Sequence, residues 1–176
     1  MRLDLTEERV RMDFPNARAL YKFDERDRLS PTFHGAPMKA VDVLAEFPTC
    51  QLWIEIKEYT PEEIQEMKAE RDRGNPNEYH LKTWLTNNFK FKFRDTFLYR
   101  FCEEKIDLPI VYVCFTNFDS ALNSFFRSQL RVLLPTGRAN PRRWNKELIA
   151  KDRIFVVDQD AWKRSLEAKF GECVRY

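Results

Sequence analysis

The stretch Gln51-Leu52-Trp53-Ile54-Glu55-Ile56-Lys57 decides the fold of this chain. Its apolar residues at even positions fall on one face of a β-strand, and Glu55 and Lys57 fall on the other, because successive side chains of a strand point to opposite faces. Residues 41–47 alternate in the same way, and Pro48 then interrupts the run. The two segments are therefore predicted to form a β-hairpin.

Helical and strand patterns alternate after the hairpin. Thr60-Pro61-Glu62-Glu63 has an N-cap residue, proline at the first helical position and acids in the first turn, which predicts a polar helix reaching about Arg73. Continuous apolar runs predict buried strands, and amphipathic runs predict helices. These elements are a strand at 108–115, a helix at 119–134, a strand at 153–157 and a helix at about 160–170. The first thirty residues do not distinguish helix from strand.

Phenylalanines recur every four residues from Phe89 to Phe101, which predicts one helical face packed in the core. The alternation of phenylalanine and lysine over residues 89–93 also permits a strand, and helix is the interpretation we favour. Lys90 and Arg94 lie opposite the phenylalanine face. They are candidates to contact a phosphate backbone, and an ordinary solvated helix face explains them equally well.

Composition limits the classes of function. A chain of 176 residues fits one domain, 1–176, and a hydrophobic content of 43% is too high for a disordered protein. The net charge of +2 supplies no global argument for a nucleic-acid partner. The four cysteines lack metal-ligand spacing, and we find neither a signal peptide nor a membrane-length apolar run, so we expect reduced thiols, a cytoplasmic location and no membrane partner.

Two carboxylates and one ammonium group are predicted to converge on the hairpin. Asp42 on the first strand lies across from the face that carries Glu55 and Lys57. Carboxylate oxygens bind Mg²⁺ or Mn²⁺, the backbone carbonyl of Ile56 is a candidate further ligand, and a lysine can position water for attack on phosphorus. The alternative is that Glu55 and Lys57 form an ordinary ion pair on a solvated strand.

Val41-Asp42 followed by Trp53-Ile54-Glu55-Ile56-Lys57 resembles the core of the PD-(D/E)xK nuclease superfamily. The resemblance covers roughly residues 38–114, and Val41 stands where the name-giving motif has proline. It implies an α/β fold with a restriction-endonuclease-like αβββαβ core, in which a mixed central sheet is flanked by helices. It also implies metal ligands at Asp42 and Glu55 and a catalytic lysine at Lys57. An acid on the first helix is sometimes a further ligand, and the sequence does not select one among Glu7, Glu8 and Glu25.

Two further sets of residues are candidates for the site or its surroundings. His34 precedes Asp42 by eight residues and is a candidate accessory group, although a lone histidine is more often structural. Arg138, Arg142 and Arg143 form a basic loop beside Trp144, which combines charge with a ring on which a base can stack. Such loops also serve solubility alone.

These patterns predict a divalent-metal-dependent nuclease that hydrolyses phosphodiester bonds, with DNA favoured over RNA. The chain has no phosphate-binding glycine loop, esterase elbow or zinc-protease helix motif, which removes three other hydrolase classes. The alternative is a nuclease-like fold without activity that serves as a binding or assembly subunit of a defence or DNA-processing complex. Because the chain is short for gripping a duplex, we expect a homodimer or a protein partner.

Overall fold

The computed structural model describes residues 1–33, 38–69, 80–136 and 147–176. In chain order its regular elements are β1 (Arg2–Leu5), β2 (Val10–Asp13), β3 (Ala19–Lys22), β4 (Val43–Glu46), β5 (Gln51–Ile56), α1 (Pro61–Ala69), α2 (Leu81–Cys102), β6 (Ile110–Phe115), α3 (Ser120–Leu133), β7 (Ile154–Val157), α4 (Gln159–Ser165), α5 (Glu167–Phe170) and β8 (Glu172–Arg175).

A five-stranded mixed sheet forms the centre of the fold, in the order β3-β4-β5-β6-β7. The pairs β3/β4 and β4/β5 are antiparallel, whereas β5/β6 and β6/β7 are parallel. Parallel neighbours need long crossover connections, and α2 and α3 lie in the segments that supply them. The predicted hairpin is β4–β5, and the predicted α/β class with a mixed central sheet and flanking helices is confirmed.

Both faces of the central sheet are covered. On one face Trp53 and Tyr112 pack with Phe89 and Phe93 of α2 in a single apolar core. The opposite face packs against a second, antiparallel sheet of order β1-β2-β8 and against α4 and α5, around the buried ring of Trp162. All six residues of β5 are consequently buried, including the polar residues of the motif strand.

The N-terminal segment corrects one expectation of the resemblance. The αβββαβ core begins with a helix, but described residues 1–33 contain the strands β1, β2 and β3. Val10 and Met12 of β2 are buried at alternating positions, which suits the period of a strand, and the buried Leu5 of β1 pairs with Val10. β2 also pairs with β8 at the C-terminus, so a contact between the two chain ends selects strand over helix here.

The phenylalanine-rich segment is the helix α2, as predicted, and the strand alternative is wrong. Phe89 and Phe93 are buried, but Phe101 is 63% exposed, so its predicted place in the core is wrong. A four-residue repeat advances about 40° per step around a helix of 3.6 residues per turn, and Phe101 has therefore rotated about 120° away from Phe89. Thr96 and Arg100 occupy the buried face in its place.

The remaining predicted elements are present with small changes of boundary. Thr60 and Glu63 form a capping box in which each side chain accepts from the backbone N–H of the other residue, and α1 follows. Its predicted continuation to Arg73 lies outside the described residues. The C-terminal helix is interrupted at Leu166 and forms α4 and α5. None of the described helices is long and apolar enough to cross a membrane.

Candidate active site

The hairpin brings the predicted residues together at one end of the central sheet. Asp42 directly precedes β4, and the pairing of Val43 with Ile54 makes Glu55 the next residue opposite it. The backbone N–H of Ile56 donates to Asp42 Oδ2 at 2.6 Å. This hydrogen bond orients the Asp42 carboxylate, so that its second oxygen turns toward the cluster described next.

Lys57 lies at the solvent side of the site, and Glu55 lies at its base. Lys57 Nζ is 2.7 Å from Glu55 Oε1, and the side chains are 24% and 0% exposed, respectively. An ordinary ion pair on a solvated strand does not fit a fully buried glutamate, because burying a carboxylate costs far more than a surface ion pair returns. The site therefore joins a desolvated acid to a lysine that solvent can reach.

A second lysine, Lys92 of α2, enters the site and was not predicted. Its Nζ atom lies 3.4 Å from Asp42 Oδ1, 3.2 Å from Glu55 Oε2 and 3.1 Å from Asp24 Oδ2. Asp24 follows β3 and is the third carboxylate of the cluster. We name Asp24, Asp42 and Glu55 the carboxylate cluster.

The position of Lys92 in the sequence carries a signal for its role. Lys92 follows Phe89 by three residues and precedes Thr96 by four, so it lies on the same helical face as these buried residues. A charged residue in phase with a buried face needs a buried partner. No comparable pattern distinguishes Asp24 within the charged run 24–28.

Burial dominates the electrostatics of Glu55. Desolvation raises its pKa from 4.5 to about 7, Asp42 adds to the increase, and the ammonium groups of Lys92 and Lys57 oppose it. Burial disfavours the charge of Lys92 too, but three carboxylates together outweigh that effect and raise the Lys92 pKa. Both lysines lie within ion-pairing distance of Glu55, yet neither Glu55 oxygen accepts a well-directed hydrogen bond from the described residues.

The groups beside Glu55 on β6 are neutral. Cys114 pairs with Glu55 in the strand register, and Tyr112 donates its hydroxyl hydrogen to the carbonyl of Phe89 at 2.8 Å. Burial raises the pKa of both side chains well above their ordinary values. A protonated, buried thiol is a poor nucleophile and a poor metal ligand, so the chemistry of this site belongs to its carboxylates and lysines.

Two carboxylate oxygens of the site are candidate ligands for a hard divalent cation, which prefers oxygen donors. Asp42 Oδ1 and Glu55 Oε2 both face one cationic group, the Lys92 ammonium, so one cation position joins the two carboxylates. The described ranges contain no metal-binding group of three or more His, Cys, Asp and Glu side chains. Mg²⁺ is commonly held by one or two carboxylates together with water and substrate oxygens, so a sparse ligand set suits it.

The raised pKa of Glu55 predicts a dependence of stability on pH. In metal-free buffer the folded protein binds more protons than the unfolded chain between pH 4.5 and about 7, so stability falls as pH rises. We expect the free energy of unfolding of the wild type, relative to that of Glu55→Gln, to fall by roughly 2 kcal/mol from pH 5 to pH 7.5. Urea denaturation at several pH values measures it.

The exposed Glu66 of α1 provides the control for this titration. Glu66→Gln removes a carboxyl group of the same type, and its stability relative to the wild type should stay constant across the same pH range. If the difference in free energy of unfolding between Glu55→Gln and the wild type did not change with pH, the fall of stability with pH could not be assigned to Glu55.

The other predicted residues lie apart from the cluster or outside the described residues. Lys90 and Arg94 are each two positions from Lys92, which places them about 160° away around α2. Their charged groups lie near the ring of Phe91, at 4.6 and 5.9 Å from its centroid. His34, Arg138, Arg142 and Arg143 lie outside the described residues.

No protein-family model matches the sequence, and neither the curated proteins nor the solved structures contain a match. Any function must therefore be argued from the geometry and chemistry of the carboxylate cluster and its two lysines.

Proposed function

We propose that this protein is a nuclease of the PD-(D/E)xK type that requires Mg²⁺ or Mn²⁺ and hydrolyses phosphodiester bonds, with DNA as its substrate. One observation carries the proposal: the carboxylate of Glu55 is fully buried, faces the same ammonium group as Asp42, and pairs with the accessible Lys57. Burying one carboxylate beside another is costly to folding even when ammonium groups pair with it, and such groups concentrate at functional sites.

Asp42, Glu55 and the backbone carbonyl of Ile56 are the proposed ligands of the metal ion. When bound, a divalent ion polarises a phosphoryl oxygen and lowers the pKa of water. The hydrogen bond from the Ile56 N–H holds Asp42 in one orientation, and the strand pairing holds Glu55 opposite it. The carboxylates are therefore preorganised by backbone contacts, which reduces the entropy lost on binding.

Lys57 is the proposed catalytic residue that contacts the reacting groups. Its ammonium group is accessible to solvent while it remains paired with Glu55, so it can meet a phosphodiester that approaches from outside. In the proposed reaction it orients the attacking water and stabilises the negative charge that develops on the phosphoryl oxygens. The desolvated base of the site strengthens this electrostatic effect.

The nucleic-acid interface remains a prediction. Lys90 and Arg94 are proposed to contact phosphates from the outer face of α2, and Arg138, Arg142 and Arg143 are proposed to contribute a basic loop. Lys90 and Arg94 point away from the carboxylate cluster. One duplex that contacts both these residues and the cluster has to bend around α2 or be held by a second subunit. This geometry supports the proposal of a homodimer or a protein partner.

We propose the cytoplasm as the place where this activity operates. All four cysteines lie in the described residues, none is paired in a disulfide, and three of them are buried. Unpaired thiols are typical of proteins in a reducing compartment.

The test of the proposed function is a cleavage assay on plasmid, linear and single-stranded DNA and on RNA, with Mg²⁺, Mn²⁺ or EDTA. We expect the wild-type protein to cut DNA with either metal and to leave it intact in EDTA. Cleavage that persists in EDTA, or absence of cleavage on all four substrates, would contradict the proposal.

A second candidate function is a nuclease-like binding or assembly subunit that does not cut. It is favoured by the position of Lys92, whose ammonium group already contacts both proposed metal ligands, Asp42 and Glu55. A noncutting subunit would bind nucleic acid or a partner protein in a gel-shift or pull-down assay and would remain inactive in the cleavage assay with every metal.

A further inference from the structure

Lys92 is a buried cation at the centre of the carboxylate cluster. Its side chain is 9% exposed, and its Nζ atom is within 3.4 Å of one oxygen from each of the three acids. It hydrogen-bonds to Asp24 and Asp42. It therefore contacts the same two carboxylates, Asp42 and Glu55, that are proposed to hold the metal.

The charges of the site limit what can be bound together with Lys92. At pH 8, where all three acids are ionised, the carboxylates and the ammonium groups of Lys57 and Lys92 leave one net negative charge. A divalent ion added while Lys92 still contacts Asp42 and Glu55 would place a net positive charge at the buried base of the site, which is unfavourable. A divalent ion alone would balance Asp42 and Glu55, and the displaced Lys92 ammonium group would then balance Asp24.

We propose that Lys92 is a resident counter-ion that a divalent metal ion must displace from Asp42 and Glu55. This inference rests on the proposed function, because it concerns the same carboxylates. The Asp24 side chain, which is 27% exposed, offers the displaced ammonium group a partner at the solvent side of the cluster. Lys92 thereby keeps the metal-free fold stable and lowers the affinity of the site for metal.

The first test is calorimetric titration with Mn²⁺ at pH 8 of the wild type and of Lys92→Met, which keeps most of the side-chain volume and removes the charge. Because one competing charge has gone, we expect Lys92→Met to bind Mn²⁺ at least about tenfold more tightly. Lys163→Met, at an exposed position of α4, is the matched control and should bind like the wild type. Equal or weaker binding by Lys92→Met overturns the inference and leaves the proposed function standing.

A second measurement uses the wild type and does not depend on the folding of a variant. An amine-reactive ester labels lysines according to their accessibility, and mass spectrometry of peptides reports each position. Labelling of Lys92 is expected to increase several-fold when Mg²⁺ is added, while labelling of Lys163 stays constant. Unchanged labelling of Lys92 in a protein that binds Mg²⁺ by calorimetry overturns the inference.

The two proposals fail in different ways. If neither the wild type nor Lys92→Met binds Mn²⁺, the counter-ion inference is overturned together with metal binding at the cluster. If the wild type cuts DNA with metal but Lys92→Met gains no affinity, only the inference on Lys92 is overturned.

Discussion

Lys57→Ala is expected to lower the rate of metal-dependent DNA cleavage by about 10²- to 10⁴-fold, the range typical for loss of a proton-transfer group or of a charge-stabilising donor. Lys57 is the accessible cation beside the buried Glu55, and its Nζ atom lies 2.7 Å from Glu55 Oε1. Cleavage of a labelled duplex under single-turnover conditions measures the chemical step separately from binding and product release.

Metal binding separates the role of Lys57 from that of the carboxylates. Because Lys57 is not a proposed ligand, Lys57→Ala should retain Mn²⁺ binding in calorimetry, whereas Glu55→Gln should lose it. Lys163→Ala removes an exposed lysine and should cut at the wild-type rate. Cleavage by Lys57→Ala within about twofold of the wild-type rate would contradict the catalytic assignment. A change of that size corresponds to well under 1 kcal/mol of activation free energy.

The second large effect is expected at Arg100, which holds the far end of α2 against the central sheet. Its side chain is 1% exposed, and its guanidinium pairs with Glu46 at 2.5 Å and with Glu103 at 2.9 Å. It also donates to the hydroxyl of Tyr21 on β3 at 3.2 Å. One side chain therefore ties α2 to both β3 and β4.

Arg100→Met is expected to lower the free energy of unfolding by about 3 kcal/mol, because removing one member of a buried pair leaves its partner poorly compensated. The acids are partly exposed, at 33% for Glu46 and 39% for Glu103, and water limits the loss to the lower part of the usual range. Denaturation in urea measures the change, and m-values test that unfolding remains two-state.

A double variant and a surface control make the Arg100 measurement specific. Adding Glu46→Gln to Arg100→Met removes the uncompensated charge and should restore part of the lost stability. Arg164→Met, at an exposed position of α4, should change stability by less than about 0.5 kcal/mol. A loss below about 1 kcal/mol in Arg100→Met would show that the pair is no more important than a surface ion pair.

Arg100 also provides a test of how local the proposed active site is. It lies eight residues beyond Lys92, which is about 12 Å along the helix. Below its melting temperature, Arg100→Met should therefore retain metal-dependent cleavage, unlike Lys57→Ala. This contrast separates loss of chemistry from loss of fold.

Local sequence determined the hairpin and the meeting of Asp42, Glu55 and Lys57. Period-two alternation assigns each of these residues to a face, and a short connection leaves one plausible pairing of the two strands. The same kind of short-range information identified the capping box at Thr60 and the helical character of residues 81–102. These features depend on residues that are close together in the chain.

Tertiary structure alone decided which distant groups complete the site. Asp24 lies 18 residues before Asp42, and Lys92 lies 37 residues after Glu55, so their meeting depends on how β3 and α2 pack against the sheet. The rotation of α2 also decided that Lys92 and Arg100 are buried and that Phe101 is exposed. The N-terminal strands likewise required β8, from the other end of the chain, as a pairing partner. A sequence pattern specifies the buried face of a helix only approximately. Packing selects the rotation of the helix and its long-range partners, because each buried polar group needs a partner that the folded chain brings to it.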